Sequence, residues 1–173
     1  MKCAIMQPTF FPWSGYFCLI NEVDKFIFLD DAQFSKGSWH NRNKIFLANK
    51  VSWLTLPIKK KDLFTLINEI EITDVKILNN KINTKIKEAY QNHKYFSCII
   101  EIMDFLEKLE TINLSEINIS IIKFISLKLG INKVNFIKSS DLKIKGKRTE
   151  KIISILNKVS ASSYISPPGA HDY

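Results

Sequence analysis

The chain has 173 residues, 46% apolar and 24% charged, with 25 basic and 17 acidic side chains and a formal net charge of +8. That is enough chain for one domain with a real core, and the balance excludes global disorder. No stretch approaches the roughly 20 apolar residues that span a bilayer, and the amino terminus lacks a secretory pattern, so the expected setting is cytoplasmic without membrane insertion.

Lys2 to Met6 is nearly all apolar, as a strand covered on both faces would be. Pro8 and Pro12 keep the following loop extended. Ser14 is a good N-cap for a helix running to Val23, which buries Phe17 and Ile20. Lys25 to Leu29 reads as a second strand and Asp31 to Ser38 as a loop. Asn43 to Leu47, the turn Ala48-Asn49-Lys50, and Val51 to Leu56 read as a hairpin. Glu69 to Thr73 reads as a further short strand. Val75, Leu78, Ile82, Ile86 and Tyr90 recur at helical spacing. A second helix carries Phe96, Ile99, Ile100, Met103 and Leu106. Asn113 and Glu116 have capping-box spacing before a third helix, which Gly130 stops. Val134 to Ile137 is a strand, Glu150 to Val159 a helix, and Ser163 to Ser166 a last strand.

Strands and helices thus alternate at both ends around a helical insert at about 75–130. The expected fold is one α/β domain over 1–173, with a Rossmann-like parallel or mixed sheet, helices on both faces and a β-hairpin.

The net charge favours anionic partners. The lysines are dispersed, however, as on solvated faces. Cys3, Cys18 and Cys98 have no metal-like spacing, and their apolar neighbours read as reduced core thiols. A nucleophilic Cys18 would need an electropositive, partly exposed setting. Glycine-rich nucleotide loops, paired-histidine zinc motifs and the serine-hydrolase elbow are all absent. The three histidines are far apart, so no metal site is expected, and no cofactor is assigned.

Four segments could carry chemistry. Gln7 stands at the mouth of the first strand, followed by a loop dense in aromatics. Ser14, Gly15 and Tyr16 at the helix start offer backbone N–H groups, a hydroxyl and close approach. Asp30, Asp31 and Gln33 follow the second strand, where carboxylates could orient hydroxyls. In Trp39-His40-Asn41-Arg42, the guanidinium could fork onto an anion and His40 could move a proton, with Trp39 and Trp53 free to stack. Ser166, Gly169 and His171 in the tail return to the same strand edge. Asp30 and His40 are the catalytic candidates; the others would bind substrate. Each segment has a plainer reading: aromatics covering a sheet edge, aspartates capping turns, a wet hairpin start, a disordered tail.

The run MQPTFFPWSGYFCLINEVDKFIFLDDAQFSKGSWHNRNKI resembles the opening of the WbqC-like family, as do VSWLTLPI and the ending TEKIISILNKVSASSYISPPGAHDY. The resemblance implies a bacterial role in O-antigen, lipopolysaccharide or other surface-polysaccharide biosynthesis, with a nucleotide-linked or amino sugar as partner and transfer as the reaction. Family members usually continue beyond the segment matching Tyr173, so the chain is expected to lack the carboxyl-terminal part of the full domain. A weaker likeness is to the nucleotidylyltransferase superfamily. Tyr16 stands where that superfamily has a histidine, and Ser139-Ser140 before Lys147-Arg148 is similar to its second phosphate motif. Two other classes stay open: a non-catalytic sugar-binding or scaffold subunit, and a nucleic-acid binder, which would need a continuous basic stripe.

Overall fold

A run of apolar residues on an extended backbone can be buried only if both faces of the strand are covered. Lys2–Met6 forms such a strand (β1) in the computed structural model, which describes residues 1–146 and 148–167. Next come α1 (Ser14–Asn21), β2 (Lys25–Phe28), β3 (Arg42–Leu47) and β4 (Lys50–Thr55). A single π-helical turn, Leu78–Ile82, leads into α2 (Asn83–Tyr90). Then follow α3 (Phe96–Glu107), α4 (Leu114–Lys128), β5 (Asn135–Lys138), α5 (Arg148–Lys158) and β6 (Ser163–Tyr164).

The chain divides into two units. The first comprises Met1–Pro8, Trp13–Ala32 and the chain from Ser126 onward; the second comprises Thr9–Pro12 and Gln33–Ile125.

The first unit is built on a four-stranded sheet of order β5-β2-β1-β6, parallel at every pairing. Register puts Ile5 beside Ile27 and Ile27 beside Ile137, so these side chains share one face. With Cys3 they pack under Ile155 and Val159 of α5 and its flank. The opposite face carries Phe26, Phe28 and Phe136; Tyr16 of α1 meets Phe26 at 5.3 Å between ring centroids. Helices therefore cover both faces, as expected.

The second unit holds the antiparallel hairpin β3–β4 and the helical insert. Ala48 and Asn49 have φ of 50° and 60°, so the hairpin closes through a two-residue turn with both central residues left-handed. Phe11 also has a left-handed φ, of 47°. A non-glycine residue persists there only when its surroundings hold it. Asn43 does so: its Nδ2 donates to the Phe10 carbonyl at 3.1 Å and to the Phe11 carbonyl.

Several local expectations need correction. Ser14 is the first residue of α1 rather than its cap; Trp13 occupies the cap position without a side-chain bond. The buried stripe of α1 is Tyr16, Phe17 and Ile20, which turns Cys18 outward, and Cys98 is likewise exposed on α3. Only Cys3 is a core thiol. The stretch 69–73 makes isolated bridges, Ile58 with Ile72 and Glu71 with Asn113, in place of a strand. Its backbone does bond sideways, with Lys59 N–H donating to the Glu71 carbonyl at 2.9 Å and Ile72 N–H to the Ile112 carbonyl at 2.8 Å, but neither bridge is followed by a second that would extend it into a ladder. The helix stop at Gly130 is as expected: φ is +79°, and Ile131 N–H donates to the Ser126 carbonyl at 2.9 Å.

Candidate functional site

Counted along the chain, the four strands of the first unit lie in the order third, second, first, fourth. The order reverses between β1 and β6. Connections leave that point in opposite directions, and in open α/β sheets ligands bind beyond the carboxyl ends of the strands at such a reversal.

Gln7 is exposed directly after β1, and its carbonyl accepts the Tyr16 hydroxyl at 3.1 Å. Tyr16 itself is buried, and burial pushes its hydroxyl pKa well above the ordinary value. Ser14 is exposed in the first turn of α1. Gly15 has a specific reason to lack a side chain: a Cβ there would collide with the Trp13 indole, which lies across it. That seats the indole at the start of α1 with 65% of its surface exposed. Ser166 is exposed just past β6. Gly169 and His171, and Lys147, lie outside the described residues.

Asp30 and Asp31 leave β2 beside the end of β5. Asp30 is buried; Ser139 Oγ donates to it at 3.1 Å, Ser140 N–H at 3.0 Å and Ser140 Oγ at 2.6 Å. Asp31 accepts Ser139 Oγ as well and pairs with Lys151 Nζ of α5 at 2.7 Å. One hydroxyl proton thus stands between two carboxylates, and the Lys151 ammonium supplies the balancing charge. Lys151 also donates to the Asp31 carbonyl at 3.3 Å. Ser139, Ser140 and Lys151 escaped site assignment because nothing in their spacing announces a contact more than 100 residues back to Asp30 and Asp31.

The remaining expected residues belong to the second unit. Gln33 Nε2 donates to the Leu63 carbonyl at 3.0 Å. Asn41 Nδ2 donates to the Leu56 carbonyl at 2.8 Å, and the Leu56 N–H donates to the Asn41 carbonyl at 2.7 Å. In the N-R-N motif the two asparagines therefore brace the backbone, while Arg42 stacks 4.2 Å above the Trp53 ring and donates through Nη2 to the Gly37 carbonyl. His40 is buried, with Nδ1 2.7 Å from Ser38 Oγ. Burial, with help from Lys61, lowers its pKa to about 4, so the ring is neutral at pH 7. Its carbonyl accepts from Asn118 Nδ2 at 2.8 Å.

Among the described residues, no helix is long and apolar enough to cross a membrane, and no group of three or more His, Cys, Asp or Glu could hold a metal ion.

An all-parallel sheet clad on both faces, reversing its strand order beside a row of polar side chains, makes this an α/β protein of Rossmann-like order. Its membership is narrower than that. The profile of the WbqC-like protein family matches residues 7–173, and the chain belongs to that family. It is 32% identical over 180 residues to Rv1507c, an uncharacterized protein of Mycobacterium tuberculosis (strain ATCC 25618 / H37Rv), covering 99% of this chain and 74% of that one. No solved structure matches.

Proposed function

We propose that this protein is a transferase of surface-polysaccharide (O-antigen) biosynthesis. It binds a nucleotide-linked or amino sugar over the carboxyl edge of the four-stranded sheet. The observation that carries the reading is the order reversal between β1 and β6, with Gln7, Ser166 and the Asp31–Lys151 pair at that edge. Ser14 and Gly15 would present backbone N–H groups to a phosphate, and the exposed Trp13 indole would stack on a ring.

Asp30 and His40 are not catalytic in this reading. The Asp30 oxygens already take hydrogen bonds from Ser139 and Ser140, and a buried imidazole with a pKa of about 4 is a weak base at pH 7. The same two facts favour a second reading, a non-catalytic sugar-binding subunit of the pathway.

Calorimetric titration with nucleotide-linked sugars and free amino sugars tests both. A saturable signal, weakened about tenfold by Gln7→Ala or by filling the edge with Ser166→Tyr, is expected. Transfer of a labelled sugar to an acceptor separates the transferase from the subunit. Absence of binding by every sugar would sink both readings.

A further inference from the structure

Positive charge gathers in the second unit with nothing to balance it. Lys36, Arg42, Lys44 and Lys61 have no carboxylate within ion-pair distance among the described residues. Asp62 is exposed and pairs with none of them.

Lys61 and Arg42 are partly buried, and Lys36 and Lys44 are exposed. Lys61 Nζ lies 3.2 Å from the Phe34 ring centroid, and that ring lies 5.4 Å from the His40 imidazole. The Lys61 pKa is lowered by burial and then by Lys36; the His40 pKa is lowered by burial and then by Lys61. Lys36 and Lys61 therefore repel one another, and Lys61 disfavours a charge on His40. Arg42 reaches the same loop through Gly37, whose left-handed φ of +79° turns the chain there. Its Nε is buried and makes no hydrogen bond among the described residues. Lys44 lies 5.2 Å from the Trp53 ring that Arg42 covers at 4.2 Å. Trp39 stands beside Trp53, 5.7 Å between centroids, and both indoles are exposed.

A solvated basic face does not look like this. Dispersed lysines keep their ammonium groups in water, where mutual repulsion is screened. Here one ammonium sits on an aromatic ring, one guanidinium nitrogen is buried without a partner, and like charges are held together. Such an arrangement is costly unless an anion enters it.

We propose that the loop 35–42, with Lys61, binds a phosphate group carried on a small molecule. Arg42 supplies a fixed guanidinium charge with N–H groups beyond the one held by Gly37, and Lys36 and Lys61 supply ammonium charge. Trp39 and Trp53 offer exposed indoles to the ring that carries the phosphate. The residues named all belong to the second unit. The phosphate could belong to a sugar phosphate or to a nucleotide.

Calorimetry on the full chain at low ionic strength decides. The probes are pyrophosphate, glucose 1-phosphate and uridine diphosphate, with glucose and uridine as phosphate-free controls. Phosphate-bearing probes are expected to bind and the controls not. Lys36→Gln and Lys61→Gln should each weaken binding about tenfold. Tighter binding of uridine diphosphate than of glucose 1-phosphate makes the carrier a nucleotide; the reverse makes it a sugar. Lys61 packs on Phe34, so its variant is accompanied by a melting curve; Lys36 is exposed, and its variant keeps the test decisive should Lys61→Gln unfold. The proposal is overturned if no phosphate compound binds the unmodified protein, or if Lys36→Gln binds as well as it does.

Discussion

His40 shows how one burial decides the protonation of a residue. An exposed histidine titrates near 6.5, whereas this one is expected to titrate near 4, chiefly because a charged imidazole would have to leave water. The unfolded chain therefore binds a proton between those two values that the folded chain does not. Stability is full above about pH 6.5, declines as pH falls, and has lost about 3 kcal/mol from this group by pH 4. Urea unfolding at pH 7 and at pH 4.5 should show that loss, and His40→Gln should flatten it. An unchanged slope in the variant would mean that the carboxylates alone account for acid sensitivity. Asp30 and Asn43 teach the same lesson by hydrogen bonding: polar residues that look free in the sequence are committed to backbone and hydroxyl partners in the fold.

Among the elements, the hairpin is the one whose sequence suits it least. Its turn needs two left-handed residues, and Ala48 and Asn49 fill the places where asparagine and glycine are preferred. Asn49→Gly removes the Cβ penalty at a φ of 60° and should stabilise the protein by about 0.5–1 kcal/mol, read as a rise in the urea midpoint with unchanged m. A lower midpoint would show that the Asn49 side chain contributes more than its backbone strain costs. The helices were easier. The i, i+3, i+4 apolar spacing located α3 and α4, and Gly130 marked the end of α4. The π-helical turn before α2 was not legible, because the same spacing serves an α-helix equally well. The stretch 69–73 was read as a strand from β-branched residues alone, but a strand exists only when a neighbour completes its ladder.

For the whole molecule, the sheet order sets a gradient of protection. β1 and β2 are each bonded on both sides, while β6 pairs for two residues only and lies at an edge. Hydrogen exchange should be slowest at the amides of Cys3–Met6 and Phe26–Phe28 and faster by orders of magnitude at Ser163–Ile165. Comparable protection across all of these would place the edge strand in the same cooperative unit as the centre.

The strands β1, β2 and β5, the hairpin, the helical insert and the aromatic loop were legible because each depends on neighbours in sequence: apolar runs, turn residues, periodicity and proline. The Q-P-x-x-F-P-W-x-G-Y and W-x-N-R-N patterns carried the family. Which strand lies beside which, and hence where the order reverses, depends on pairing across more than 100 residues. So do the locking of Asp30 by Ser139 and Ser140 and the pairing of Asp31 with Lys151. Long-range contacts leave no local trace, because any hydroxyl or ammonium of the right size could make them until packing chooses one. The crowding of Lys61 against Phe34 and His40 is of that kind: the sequence holds the charges, and the tertiary fold brings them together.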